Sequence, residues 1–237
     1  MTPSAPIHRL KRDARLLSRS AGIPLHAALD RIAAREGFSA WSLLAARAAA
    51  LSPAAKLYAR LAPGDLVLVG ARPRQGKTLM GLQLAREATE AGQRSYFFTL
   101  EYAEPDVRDR LAAIGAAEMA TGGLFAFDGS DAIDAGYIIH ALAAAPPRTL
   151  VVIDYLQLLD QRRDSPPLIE QVRALRAFAR ARGLILVFIA QIDRRYDPAR
   201  KPFPGLEDVR LPNPLDLSLF DRACFLHGGD MRFHTVA

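Results

Sequence analysis

Residues 66–78 constrain the fold of this chain more than any other stretch. An aliphatic run from Leu66 to Val69 leads into a loop that ends in Gly76, Lys77 and Thr78, and an apolar helical pattern follows at once. Strand, loop, Gly-Lys-Thr and helix come in the order that a phosphate-binding loop requires. In such a loop the backbone N–H groups and the helix dipole all point at one anion. The stretch therefore predicts a nucleotide site.

The residue types in this loop predict separate roles. Lys77 is expected to reach the β and γ phosphates and the Thr78 hydroxyl to hold Mg²⁺, while Gly76 lets the backbone approach without a Cβ in the way. We expect the nucleotide to contact nine consecutive residues: Ala71, Arg72, Pro73, Arg74, Gln75, Gly76, Lys77, Thr78 and Leu79. Ala71 stands where the full pattern has glycine, and Gly70 lies one residue too early. A chance Gly-Lys-Thr is the alternative, which the flanking strand and helix disfavour.

Polar side chains follow three later apolar strands. Asp154 ends the run 149–154, an arrangement typical of a Walker B strand, whose carboxylate orders the Mg²⁺ shell opposite Thr78. Glu101 follows the run 95–100, and Gln191 follows the run 184–190. Open α/β sheets bind ligands at the carboxyl ends of their strands, so these residues are candidates for the same site. Glu101 and Gln191 are alternatively surface polar residues at strand ends.

Strands and helices alternate from about residue 62 onwards. This alternation predicts an α/β fold with a mostly parallel sheet and helices on both faces. The residues before it carry only helical patterns, so we expect a helical N-terminal segment, 1–51, and an α/β domain, 52–237. Residues 194–214 are rich in proline and charge and are long for a connection, which predicts a functional or mobile segment.

Composition limits the partners only weakly. The net charge of +6 favours polyanionic partners to a small degree. Residues 6–20 predict a basic amphipathic helix, which either touches nucleic acid or presents a solvated face. The single cysteine, Cys224, excludes an internal disulfide, and no apolar run reaches the roughly 18 residues of a membrane helix. We expect a soluble, cytoplasmic protein.

Four short segments together resemble the bacterial replicative DNA helicases of the DnaB family. They are residues 71–78, 98–101, 153–158 and 190–194, and they occur in the family's order. The family also has alanine at the first position of the loop, and the resemblance covers about residues 61–226. It implies that the α/β domain is a RecA-like P-loop ATPase domain, here preceded by a small helical segment.

The resemblance also implies what each residue does. Lys77 and Thr78 would grip the triphosphate of ATP and its Mg²⁺, and Asp154 would position the metal. Glu101 would orient the attacking water, and Gln191 would sense the γ-phosphate. These roles suit phosphoryl transfer, which depends on charge neutralisation and an in-line water.

The same resemblance implies single-stranded DNA as a partner and a homo-oligomer, such as a hexamer, as the assembly. Two departures concern these expectations. Asp193 stands where the family usually has Asn, and Arg232 is the only basic residue after Leu226, where family members carry an arginine finger. Residues 194–201 are the expected DNA contact, with a solvated loop as an equal alternative.

We therefore expect an ATP-dependent, DnaB-like DNA helicase or translocase that acts in replication. The alternative is a RecA-like ATP-binding regulatory or accessory module without motor activity. A small-molecule kinase ranks third, since no motif for an acceptor substrate is visible.

Overall fold

The computed structural model describes residues 7–49, 51–160, 165–211 and 213–236. The chain divides into two compact units, Met1–Arg60 and Leu61–Ala237, which we call the helical unit and the α/β unit. The sequence placed a boundary after residue 51, and that boundary remains a prediction. Residues 6, 50 and 212, which belong to predicted segments, lie outside the described residues.

The helical unit is built on a small apolar core. Its helices are α1 (Ile7–Ala21), α2 (Leu25–Arg35), α3 (Trp41–Ala49) and α4 (Pro53–Tyr58). The side chains that form the core are all aliphatic or alanine: Leu10, Ala14, Ala28, Ile32, Ala33 and Leu44. They come from the first three helices, and in α1 they recur at the spacing of one helix face.

The α/β unit contains a seven-stranded sheet in the described residues. Its strands are β1 (Leu66–Ala71), β2 (Ser95–Thr99), β3 (Phe125–Asp128), β4 (Leu150–Asp154), β5 (Ile185–Gln191), β6 (Arg222–His227) and β7 (Asp230–Thr235). Their order across the sheet is β3-β2-β4-β5-β1-β6-β7, and every neighbouring pair is parallel except β6 and β7. The predicted, mostly parallel sheet is confirmed.

Helices cover both faces of this sheet. They are α5 (Lys77–Glu90), α6 (Glu104–Ala113), α7 (Ala135–Ala141) and α8 (Leu168–Arg182). Gly81 of α5 lies so close to the sheet that a Cβ there would be 2.9 Å from Val152. The neighbouring strand residue, Val151, lies in one hydrophobic cluster with Leu175 of α8. Because successive side chains of a strand point to opposite faces, α5 and α8 lie on opposite sides, as predicted.

The bounds of several helices differ from the predicted ones. The sequence pattern predicts helices over 79–91, 104–117 and 132–145. Helix α5 begins two residues earlier than predicted, at Lys77. The second helix ends at Ala113, and the left-handed Gly115 (φ 70°) separates it from a 3-10 turn, Ala117–Ala120. The third spans only Ala135–Ala141. Propensity alone does not fix such ends, because caps and tertiary contacts decide them.

Burial places the site at one edge of the sheet. All residues of β1 and β4 are buried, so these strands have apolar side chains on both faces, as strands covered on both sides require. The polar residues of the motifs lie where these strands end. Within the described ranges, no helix has the length and apolar character needed to cross a membrane.

Candidate functional site at the carboxyl edge of the sheet

Strand register brings the ends of five strands together. Ala71, the last residue of β1, is opposite Gln191 of β5 on one side and Leu226 of β6 on the other. Thr99, the last residue of β2, is opposite Asp154, the last residue of β4. The carboxyl ends of these parallel strands therefore share one edge, which is where open α/β sheets bind their ligands.

The loop after β1 presents its backbone to solvent. Residues 73–76 are exposed, and two of them, Arg74 (φ 63°) and Gly76 (φ 80°), have left-handed backbones. Left-handed residues in a turn direct successive N–H groups into one concavity that binds anions. A Cβ placed on Gly76 would meet no atom within 4 Å, so the space beside it is open. Gly76 also begins α5, since its carbonyl accepts a hydrogen bond from Met80 N at 2.8 Å.

The structure explains the departure from the glycine pattern. Ala71 is fully buried and paired on both sides, so this position belongs to the strand and not to the loop. Gly70 has a packing role, because a Cβ there would lie 2.7 Å from the Phe225 ring. Real Cβ atoms almost never come that close to a neighbour, so Gly70 accommodates the phenylalanine of β6.

Lys77 lies between two carboxylates. Its Nζ is 3.2 Å from Glu101 Oε2 and 3.7 Å from Asp154 Oδ1. Burial works against the charge of Lys77, but Asp154 and Glu101 outweigh it and raise the pKa of the lysine. The same ammonium is 5.7 Å from the centre of the Tyr155 ring. Three of the five predicted catalytic and metal residues thus meet, although they come from three different parts of the chain.

Asp154 is a buried carboxylate without hydrogen bonds. It has no exposed surface, and among the described residues neither of its oxygens has a hydrogen-bond partner. Burial raises the pKa of this carboxyl, and the nearby Lys77 ammonium and Thr78 hydroxyl only partly oppose the effect. Buried polar atoms are normally satisfied, so two unsatisfied carboxylate oxygens at a strand edge fit a cation and its water shell.

The donor set suits a metal that is held partly by its ligand. In the described part of the chain, no three His, Cys, Asp or Glu side chains gather into a metal site. Thr78 is the first-turn residue of α5 and is largely buried beside the loop. Mg²⁺ commonly takes only one or two protein oxygens, with water and phosphates as its other ligands. Thr78 and Asp154 can supply such oxygens.

Gln191 lies at the same edge but makes a different contact. Its Oε1 accepts a hydrogen bond from Arg210 Nη1 at 3.1 Å. Among the described residues, no hydrogen bond links the Gln191 side chain to Lys77, Glu101 or Asp154. Two more bonds fix Arg210 in place, from its N to Gln191 O (2.8 Å) and from Gln157 Nε2 to its carbonyl (2.6 Å).

Sequence reasoning missed Arg210 and Gln157 as individual contacts of the site, and it predicted Gln75 only as a nucleotide contact. Arg210 reaches Gln191 only because Val209 pairs with Ile192 in an isolated antiparallel bridge, which no local motif signals. Gln157 lies within the segment 153–158, whose resemblance assigns it no role of its own. Gln75 Oε1 accepts a hydrogen bond from Gly228 N (3.0 Å), so the loop is joined to the β6–β7 turn.

The segment expected to contact DNA has most of its charges paired locally. Arg195 contacts Asp193 at 3.1 Å, and Arg200 contacts Asp197 at 3.7 Å. Lys201 binds both Glu207 and Asp208, the latter at 2.6 Å. The segment also packs on β6, since the rings of Tyr196 and Phe203 each lie 5.8 Å from that of His227. Its role in DNA contact remains a prediction.

Comparison with known proteins adds a family model and several structures. The model of the DnaB-like helicase C terminal domain matches residues 53–125, less than a third of the chain. These residues include the phosphate loop and Glu101 but not Asp154 or Gln191. No curated protein matches the chain.

Three solved structures share the fold. A DnaB-like replicative helicase, described with its interactions with primase, is 22% identical, with a TM-score of 0.59 over 70% of this chain and 48% of its own. A second structure, described as an ATPase domain, is 23% identical, with a TM-score of 0.57 over 70% of each chain. The KaiC-like protein PH0186 from the archaeon Pyrococcus horikoshii OT3 is 18% identical, with a TM-score of 0.52 over 72% of this chain and 76% of its own.

These comparisons confirm two expectations from the sequence. At such low identity the structural matches show the fold, and it is the RecA-like fold of P-loop ATPase domains. The match covers about half of the replicative helicase's length. The family model matches the segment that contains the predicted phosphate loop. This chain therefore resembles the C-terminal ATPase domain of DnaB-like helicases, as its sequence motifs indicated.

Proposed function

We propose that this protein is an ATP-dependent, DnaB-like DNA helicase or translocase that hydrolyses Mg-ATP and moves along single-stranded DNA in replication. The observation that carries the proposal is the meeting of Lys77 with Glu101 (3.2 Å) and Asp154 (3.7 Å) beside an open, left-handed Gly76. It acts in the cytoplasm as a homo-oligomer, with a hexameric ring as the expected form.

Each residue near the phosphates has a task that follows from its chemistry. The backbone of residues 71–79 cradles the phosphates, and Lys77 leaves its carboxylates to neutralise the β and γ groups. Thr78 and Asp154 hold Mg²⁺, which supplies charge neutralisation at the phosphate oxygens when bound.

Glu101 acts on the attacking water. Its carboxylate lies at the edge of the site with about a third of its side chain exposed, so water reaches it. Its backbone N–H donates a hydrogen bond to Thr99 Oγ1 at 3.0 Å, and this bond fixes the position of the Glu101 backbone. The carboxylate orients the water in line with the γ-phosphate and accepts its proton, and the products are ADP and inorganic phosphate.

Gln191 reports the state of the γ-phosphate. An arginine can only donate, so its hydrogen bond occupies Oε1 of Gln191, and the structure shows no acceptor for the amide N–H groups within the described residues. A phosphate oxygen can accept hydrogen bonds from such N–H groups. Arg210 therefore positions the amide of Gln191 with its donors available to the nucleotide.

The test combines enzymatic turnover with assembly size. Phosphate release is measured with and without single-stranded DNA at low salt, where phosphate contacts are strongest, and the oligomeric state is measured with ATP present. DNA-stimulated turnover by an oligomer, together with unwinding of a forked duplex, supports the proposal. Turnover that DNA does not stimulate at low salt contradicts it.

One observation favours a second function, a RecA-like ATP-binding regulatory module without motor activity. The cations of residues 194–201 are mostly paired within their own loop, which leaves few of them for DNA. A strict monomer with slow turnover that DNA does not change would favour this second function.

A further inference from the structure

The positive charge of the chain belongs to its smaller unit. Residues 1–60 contain ten Lys and Arg and three Asp and Glu, a net charge of +7. Since the whole chain carries +6, residues 61–237, with 21 basic and 22 acidic side chains, carry −1. A polyanion therefore meets the attractive field at the helical unit, not at the ATPase fold.

Four of these cations form one stripe on α1. Lys11, Arg12, Arg15 and Arg19 are all exposed. At 3.6 residues per turn they fall within an arc of about 100°, and they extend over about 12 Å of the helix axis. In the described part of the chain none of them forms an ion pair, unlike Arg195, Arg200 and Lys201. We call these four residues the α1 basic face.

The other side of α1 is already used for packing. Leu10 and Ala14 are buried in the core of the helical unit, against Ile32 and Leu44. A helix that lies on a membrane needs its apolar face for the lipid, and here that face is occupied. Among the described residues of α1, Leu16 is the only large apolar side chain that is exposed. The remaining free surface is charged, and it complements phosphates.

We propose that the α1 basic face binds the phosphodiester backbone of DNA, without base specificity, as the DNA-contact surface of this protein. The proposal rests on the proposed function for its choice of DNA as the ligand, but it requires no ATP turnover. Lysine and arginine contacts to phosphates supply most non-specific affinity, and a stripe of about 12 Å is long enough to reach several phosphates of one strand.

The experiment uses the full chain and a charge-matched control. One variant combines Lys11→Gln, Arg12→Gln, Arg15→Gln and Arg19→Gln. The control combines Arg94→Gln, Arg108→Gln, Arg173→Gln and Arg182→Gln, four exposed arginines of the α/β unit that lie outside residues 194–201. Glutamine has a helix propensity close to those of lysine and arginine, so α1 is retained, and circular dichroism verifies it.

Binding of a fluorescently labelled poly-dT oligonucleotide is measured by anisotropy, without nucleotide, over a series of salt concentrations. We expect the α1 variant to bind at least about tenfold more weakly at low salt, and the slope of log K against log salt to fall by about 2 to 3. The control is expected to stay within about twofold of the unmodified protein, because its charges lie on the other unit.

Three results overturn the proposal: an unmodified protein that does not bind the oligonucleotide, an α1 variant that binds it normally, or a control that weakens as much as the variant. Binding to vesicles of anionic phospholipid is measured in parallel. An α1 variant that loses binding to these vesicles but binds DNA normally also overturns the proposal, in favour of a membrane surface as the ligand.

Turnover without DNA separates this proposal from the proposed function. It should be unchanged in the α1 variant, whose residues lie outside the ATP site. If the protein binds DNA through α1 but DNA does not stimulate its turnover, the proposed motor function is refuted. The proposed DNA-binding role of the α1 basic face is then retained.

Discussion

The ammonium nitrogen of Lys77 lies 3.7 Å from Oδ1 of Asp154, a carboxylate with no exposed surface. The two residues are 77 positions apart and come from a loop–helix junction and from the end of a buried strand. Their approach depends on β4 and β1 ending at the same edge with β5 between them. Lys77 is thus the counter-charge of a buried acid as well as the proposed phosphate ligand.

Lys77→Ala should abolish ATP turnover, with a loss of at least about a hundredfold, because the phosphates lose their main side-chain cation. Binding of a fluorescent ATP analogue and steady-state phosphate release measure the effect. Lys201→Ala is the control, since that lysine also binds two carboxylates but lies outside the phosphate loop. Normal turnover in the Lys77 variant would exclude the phosphate site assigned here.

Glu101→Gln should block hydrolysis by about a hundredfold or more while ATP binding stays within about threefold, because an amide cannot take the proton from water. Glu104→Gln is a matched control, since Glu104 is an exposed carboxylate three residues further on that pairs with Arg108. An equal loss of ATP binding in the Glu101 variant would refute its role in orienting water.

Asp154→Asn should lose the extra stability that Mg-ATP gives the unmodified protein, because a neutral amide is a much weaker Mg²⁺ ligand than a carboxylate. Thermal unfolding with and without Mg-ATP measures this loss. A variant that Mg-ATP stabilises normally would contradict the assigned metal role.

Arg210→Met should reduce the preference for ATP over ADP by about tenfold, because the Gln191 amide loses the donor that orients it. Gln191→Ala should have a similar effect. The two changes together should be no worse than either alone, since they act through one contact. Affinities for ATP and ADP analogues measure it, with Arg200→Met as the control. Additive losses would show that Arg210 acts independently of Gln191.

Lys201→Met should loosen residues 194–208, because Glu207 and Asp208 lose their shared cation. Faster tryptic cleavage after Arg194 and Arg200, two sites that the control below retains, and faster amide exchange in this segment measure the change. Arg195→Met, which removes a contact between neighbours in sequence, is the control. Unchanged cleavage would show that the packing of this segment on β6, and not Lys201, keeps it ordered.

The contribution of Glu207 to this tie depends on pH. The Lys201 ammonium holds the pKa of Glu207 below its usual value of 4.5. A carboxylate with a lowered pKa stabilises the folded state above its unfolded pKa, and this stabilisation is lost as the pH falls through the lowered value. The exchange difference between the unmodified protein and Lys201→Met should therefore be full at pH 7 and shrink as the pH falls below the usual glutamate value of 4.5. An undiminished difference in acid would exclude this ion pair as its source.

The sequence predicted the sheet well because its strands are short apolar runs with clear ends. β1, β4 and β5 are buried on both faces, so their positions follow from hydrophobicity alone. Glu101 and Asp154 were expected at the phosphate edge because parallel strands end together. The geometry brings both to Lys77, whereas their catalytic and metal roles remain predictions.

Contacts that depend on long-range pairing could not be predicted in the same way. Arg210 meets Gln191 only because the segment after β5 returns to pair with Ile192, and residues 194–208 give no periodic signal for that return. Residues 194–214 were expected to be functional or mobile from their length and proline content. The described part of this segment is held by Tyr196 and Lys201, whose partners the pattern does not reveal.

The hydrogen bond from Gly228 N to Gln75 Oε1 braces the phosphate loop from a hairpin about 150 residues further along the chain. Three of the four residues between Ala71 and Gly76 lie in solvent, so local packing contributes little to holding their curve. A substitution in the β6–β7 turn would therefore change nucleotide affinity without altering any residue of the Gly-Lys-Thr motif. A partner that binds this hairpin would therefore change the affinity for ATP through the same hydrogen bond.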